Sequence, residues 1–359
     1  MQHKGDSECR NGLPGVQGGV DEFCDFEKME DSILRGEDGE VDTSSCYEGP
    51  GAHWVPHLGP SCLSRQSYAR YALIEGLRQE AEIGVNPFKF GLSASTDTHS
   101  AIGGGVEEAN FAGHLGKADA TPRGRMSTEP GRTGGMSTNP GGLIGVWAEE
   151  NTRDALFDAM RRREVFGTSG PRMQVRFHGG WGFPANLCDD AERLSRADAT
   201  GVSMGSDLPA RSETSEAPSF LVIGQADPGT AHAPSTPLQR LQVIKGFVDD
   251  EGNHQQRIYD VAGSPNNGAT VNLETCEPIG AGHSDLCAVW TDPEFEAAEA
   301  AVYYVRAMEN PTCRYSQHDC IRMAEEDRPQ SCEHEYYSAT QQERAWSSPI
   351  WYTPARHQD

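Results

Sequence analysis

Two kinds of architecture follow one another in this 359-residue sequence: an α/β portion first, and then an all-β portion with the strand spacing of an antiparallel β-sandwich. Three observations predict this. A helical period followed by an alternating apolar run occurs before residue 100, and short β segments separated by turn-rich pieces fill the chain after Pro171. The length also exceeds what one core usually holds, about 250 to 300 residues. The boundary is expected near residue 172, giving parts 1–171 and 172–359.

Residues 1–60 are irregular, and "GGVDEFCDFEKMEDSILRG" carries their only helical hint. Over 64–84, Tyr68, Tyr71, Ile74, Leu77 and Ala81 recur at steps of three or four, and Gly84 supplies the stop, which predicts an amphipathic helix. "PFKFGLSAST", 87–96, alternates Phe88, Phe90 and Leu92 with Lys89, Gly91 and Ser93 and reads as a strand. If the alternation continues, Asp97 and His99 share the Ser95 side and converge just past the strand end.

Residues 103–142, rich in Gly, Pro, Ser and Thr and holding the near-repeat "GRMSTEPG" and "GGMSTNPGG", are expected to form a mobile loop or lid. A helix opening near Asn151 or Thr152, a strand from about Val165 and a break at Gly170-Pro171 continue the α/β layer. Beyond it "MQVRFHG", "SFLVIGQA", "LQRLQVIKGFVDD", "QQRIYDVA", "AVWTD" and "AVYYVRAME" are strand candidates, parted by turns such as "DDEGN" and "GSPNNGA".

A formal net charge of -24 at pH 7 repels phosphate backbones and anionic lipid, so nucleic acid and membrane surfaces are poor partners. The short basic cluster Arg161-Arg162-Arg163 reads as a solvated face near a helix C-terminus. Ten cysteines, with near neighbours at Cys9 and Cys24, Cys46 and Cys62, Cys276 and Cys287, and Cys313 and Cys320, lack the C-x-x-C spacing of zinc ribbons or redox sites. Short-loop disulfides in an exported protein explain them best, with buried free thiols as the alternative. That places the protein in the periplasm or outside the cell, although the opening "MQHKGDSECR" has no apolar signal region and no run long enough to span a bilayer.

The chemistry concentrates at Asp97-Thr98-His99. A carboxylate and an imidazole held together suit zinc, manganese or iron, whereas magnesium and calcium prefer oxygen shells. Spacing alone leaves the motif weak, and an ordinary polar turn is then the commoner reading. The pair His53 and His57 in "AHWVPHLG" reads as a surface loop, because Pro56 interrupts a helix and no H-E-x-x-H is present. Ser95 and Ser169 lack the G-x-S-x-G elbow, and 103–105 lacks the Lys-Ser/Thr of a phosphate loop, which disfavours serine hydrolases and nucleotide triphosphates.

Several longer blocks carry a resemblance: "KFGLSASTDTHS", "GLIGVWAEENTRDALFDAMRRREVFGTSGPRMQVRFHGGW", "LQVIKGFVDDEG", "LCAVWTDPEF", "YYVRAMENPTCR" and "ERAWSSPIWYTP". Together, from "KGDSE" to "SPIWYTP", they identify the chain as a member of the family called domain of unknown function 3604, which resembles the polymerase and histidinol phosphatase (PHP) metallohydrolases. The resemblance implies the C-terminal part of a distorted β/α barrel ahead of the β-sandwich, with Asp97 and His99 as the last metal ligands. It implies two or more divalent ions, zinc, manganese or iron, and hydrolysis of a small-molecule ester or phosphoester by metal-bound hydroxide. It also places Glu8, with Lys4 and Asp6, at a strand end facing the site, where an outer-shell or substrate role stands level with a solvated N-terminal charge run.

Further along, Thr168, Ser169 and Arg172 in "TSGPR" are candidates for the same mouth, where a guanidinium would clamp an anionic substrate, although a structural turn is the commoner reading; His114 is a lesser candidate to close over it from the lid. None of the twelve histidines forms the H-x-H with which PHP chains open. The expectation is therefore a chain resembling the C-terminal portion of a longer hydrolase and impaired by itself, or else a non-catalytic secreted fragment or binding module.

Overall fold

A computed structural model of the chain describes residues 16–18, 69–127, 139–212, 216–230, 234–333 and 339–354. Two antiparallel sheets dominate it. The larger has eight strands: β1 (Val16–Gly18), β2 (Leu143–Val146), β3 (Val165–Thr168), β7 (Leu238–Val248), β8 (His254–Gly263), β12 (Ala301–Glu309), β15 (Arg344–Ser347) and β16 (Ile350–Tyr352). Their order is β1-β8-β7-β12-β15-β3-β2, with β16 also on β12, and only the β1–β8 pairing is parallel. The smaller sheet is ordered β11 (Asp285–Thr291), β6 (Pro218–Gln225), β4 (Gln174–Trp181), β5 (Gly201–Ser203). Two small ribbons complete the strands, β9 (Thr270–Val271) with β10 (Pro278–Ile279) and β13 (Thr312–Cys313) with β14 (Thr340–Gln341).

Alternation along the strands builds four layers. Phe177 of β4, Phe220 and Val222 of β6, Val243 of β7, and Tyr303 and Val305 of β12 close the core between the sheets. On the far face of the larger sheet, Ile244, Val302, Tyr304 and Trp351 receive Leu73, Ile74 and Leu77 of helix α1 (Ala69–Ile83). On the far face of the smaller, Leu221 and Ile223 receive Ala197 of helix α4 (Arg193–Thr200). Buried from Leu238 to Phe247, β7 is a central strand covered on both faces.

The short helices are α2 (Pro122–Arg125), α3 (Arg153–Arg161) and α5 (Tyr315–Arg322). Helix α3 opens at the expected place, with the Thr152 side chain accepting the Ala155 N–H as its N-cap. At its end Arg161 and Arg162 are exposed, as a solvated face requires, while Arg163 donates to the Gly205 carbonyl and lies over the Trp351 ring.

The expected α/β barrel is not what forms. No barrel closes among the described residues, and the architecture is mostly antiparallel strand with few helices. The physical reason is the pairing of β3. It lies between β2 and β15, antiparallel to both, so the helix–strand unit from Arg153 to Thr168 extends a sheet of C-terminal strands instead of a parallel layer. The run 87–96 forms no ladder either. Gly91 carries it across the face of β3, where a Cβ would stand 2.9 Å from Val165 and 3.0 Å from the Ser348 hydroxyl. Its groups bond singly: Leu92 N to Ser348 Oγ, and Ser95 O to Gly142 N, each at 2.9 Å. The six segments after Pro171 each contain or overlap a strand of the two sheets, and the chain passes from the larger to the smaller between β3 and β4, across Gly170-Pro171.

Among the described residues, three disulfides join Cys188 to Cys287, Cys276 to Cys313 and Cys320 to Cys332. Nearness in sequence therefore mispairs Cys276 with Cys287 and Cys313 with Cys320. Cys287 lies on β11, beside the Cys188 turn that leads to α4, whereas Cys276 faces β13. Cys9, Cys24, Cys46, Cys62 and the helical hint of the first sixty residues lie outside the described residues.

Candidate functional site

The run 96–101 is a turn rather than a strand continuation. Thr98 N donates to Thr96 Oγ1, Ser100 N donates to Thr98 Oγ1, and Asp97 and Ala101 adopt left-handed φ values of 53° and 61°. The alternation that would put Asp97 and His99 on one side stops here. Asp97 is half-buried and His99 exposed. Left-handed backbone is uncommon for residues other than glycine, and outliers of this kind persist where surrounding structure over-determines them.

What holds the turn is a closed circuit of hydrogen bonds. His99 N donates to the His114 carbonyl at 2.8 Å, and His114 Nε2 donates to the Asn139 carbonyl. Asn139 Oδ1 accepts the Gly141 N–H, and Gly142 N returns to Ser95 O, both at 2.9 Å. Gly142 is required by close approach, since a Cβ there would lie 2.0 Å from the Thr168 carbonyl oxygen. His114 is buried, and Asp119 fixes its backbone by accepting the N–H groups of His114 and Leu115 at 2.6 and 2.8 Å. A carbonyl oxygen can only accept, so His114 Nε2 carries a proton in this contact and the ring is held against Asn139.

The circuit thus joins three predicted residues, Asp97, His99 and His114, and the close approach of Gly142 brings the end of β3 beside it. There Thr168 and Ser169 are buried. The Ser169 hydroxyl donates to the Glu343 carboxylate and accepts the Arg344 N–H, so its contacts fasten β3 to β15. Arg172 is exposed, and its N–H donates to Asp227 at 2.6 Å on the turn beyond. Lys4, Asp6, Glu8, His53 and His57 lie outside the described residues, as does most of the near-repeat.

Sequence reasoning missed Asn139, Asp119 and Glu343. The signal for Asn139 was in "STNPGG", because Asn before Pro-Gly is a strong turn starter whose side chain bonds the backbone two residues on. Asp119 and Glu343 act through partners that no local pattern reveals.

Carboxylate and imidazole are the right donors for zinc, manganese or iron, but such an ion takes three or more protein ligands. Among the described residues no group of three or more His, Cys, Asp or Glu side chains is placed to hold one. The donor set these residues offer does not fit a complete metal shell.

Fold and site together define a disulfide-linked, predominantly antiparallel β protein carrying an Asp-x-His turn pinned to a buried histidine. The chain belongs to the family described as protein of unknown function DUF3604, whose profile matches residues 1–354. No curated protein and no solved structure matches it. The match confirms the family named by the sequence blocks, and nothing in it supports the further likeness to PHP metallohydrolases.

Proposed function

We propose that the protein is a metal-dependent hydrolase of a small phosphoester or related ester, with Asp97 and His99 contributing to its metal centre. The observation that carries this reading is the left-handed Asp97, held by a circuit that runs through a buried histidine. Backbone strain of this kind costs about 1–3 kcal/mol and clusters at functional sites. The turn presents a carboxylate and an imidazole two residues apart, with the His114 ring held by the Asn139 carbonyl in the same circuit. Three disulfides, with no helix among the described residues long and apolar enough to cross a membrane, are compatible with an extracellular or periplasmic protein, which is the location we assign.

The test is metal content and turnover of a panel of phosphomono-, di- and triesters by the full chain, beside Asp97→Asn and His99→Ala. Asparagine tolerates left-handed φ, so Asp97→Asn removes charge without disturbing the turn. Both variants are expected to lose metal and activity. A wild type free of transition metal, or variants with full metal and activity, overturns the reading. A second reading, a non-catalytic binding module, takes its support from the incomplete donor set among the described residues, and a metal-free but folded wild type would favour it.

A further inference from the structure

Asn139 is buried to 2% exposure, and its side-chain Nδ2 has no hydrogen-bond partner among the described residues. The orientation of the amide is fixed by its other end, because Oδ1 accepts the Gly141 N–H and the amide oxygen and nitrogen cannot be exchanged without losing that bond. Among the described residues, its two amide N–H donors are therefore held in the interior without an acceptor. Leaving a buried donor unmade costs about 1–3 kcal/mol, and native proteins rarely carry one without a use.

Its place gives that use. The Asn139 carbonyl takes His114 Nε2, and the His114 carbonyl takes the N–H of His99. Three residues further on, Gly142 is bonded to Ser95, two residues before Asp97. The reach of a chain limits the first step to about 11 Å and the second to about 7 Å. The amide thus belongs to the same ring of contacts as the Asp-x-His turn, and the Asp119 carboxylate is engaged with the backbone N–H groups of His114 and Leu115. A neutral amide suits an anionic oxygen: it donates twice and adds no charge.

We infer that Asn139 is an oxyanion-binding residue of this site, donating through Nδ2 to a non-bridging oxygen of a phosphoester or of the phosphate it releases. This rests on the hydrolase reading for the identity of the ligand, but its geometry does not depend on a metal. The residue binds and orients; no bond is made or broken at it.

Inorganic phosphate is the probe, with chloride at matched ionic strength as control. Phosphate is expected to raise the melting temperature of the full chain. Asn139→Asp keeps the acceptor that holds Gly141 and replaces the donor with a repelling oxygen. It should weaken phosphate binding by about tenfold or more, the worth of a hydrogen bond to a charged group, while circular dichroism stays unchanged. Phosphate binding by N139D within twofold of wild type, or no phosphate binding by wild type, overturns the inference and leaves only an internal water on the amide.

Should N139D not fold, the side-chain amide resonance of Asn139 in ¹⁵N-asparagine-labelled wild type decides: a shift on phosphate addition supports the role and an unmoved resonance ends it. Metal analysis of the same samples separates the two ideas. Phosphate binding without metal sinks the metal-dependent reading and keeps Asn139, whereas full metal with an indifferent N139D does the reverse.

Discussion

His254 Nε2 and the Glu75 carboxylate meet at 3.0 Å, both buried, and tie β8 to α1 across 179 residues of chain. Burial is the largest influence on Glu75 and pushes its pKa up. Hydrogen bonds from Arg78 and Gln79, with the charges of Arg78 and His254, outweigh it and hold the group at about 2, below its ordinary 4.5.

A carboxyl depressed in the folded state binds fewer protons than in the unfolded chain, so its contribution is complete above pH 4.5 and is lost as pH falls towards 2. Arg78 is partly exposed and solvent screens its share. Glu75→Gln is expected to cost about 2 kcal/mol at pH 7 and to flatten the fall in stability across that window. Urea denaturation at pH 7, 4 and 3 measures it; a variant whose acid limb parallels wild type contradicts the assignment.

Arg125 on α2 and Asp319 on α5 form a bidentate pair at 2.9 and 3.0 Å, both nearly inaccessible. Removing one partner strands the other charge, so Asp319→Ala should cost about 3–5 kcal/mol. Replacing both with Arg125→Met and Asp319→Leu should recover most of the loss. A double-mutant cycle by denaturant unfolding checks this, and additive single costs would show that the two groups are not coupled.

Peptide mapping without reduction should recover Cys188 with Cys287, Cys276 with Cys313 and Cys320 with Cys332. The first closes a separation of 99 residues, and replacing both its cysteines by alanine should cost about 3–4 kcal/mol, since stabilisation grows with loop length. Recovery of Cys276 linked to Cys287 would refute the pairing.

Ala101 holds φ 61° at an exposed position in the candidate turn. Glycine occupies that region without a Cβ penalty, so Ala101→Gly should raise stability by about 1 kcal/mol, net of the extra freedom glycine gives the unfolded chain. Thermal unfolding reads the sign directly. A loss of stability would mean that the turn at 97–101 is not left-handed in solution.

Local grammar made much of the molecule legible in the sequence. The steps of three and four from Tyr71 to Ala81 encode α1, Thr152 caps α3, and the alternating runs after Pro171 mark strands, because each depends on neighbours a few residues away. The Asp-x-His pair and the family blocks were likewise visible in the residues alone.

Only the tertiary structure decided what lies beside what. Antiparallel pairing of β3 with β15, more than 170 residues away, replaced the expected barrel, and the run before Asp97 joins no ladder, with Gly91 packed closely on Val165. Cysteine connectivity, the left-handed Asp97 and the buried Asn139 amide follow from contacts made only after the sheets have packed. Register and burial are properties of partners distant in sequence, and the period of a segment fixes which face it buries but not the strand, the sheet or the residue it will meet.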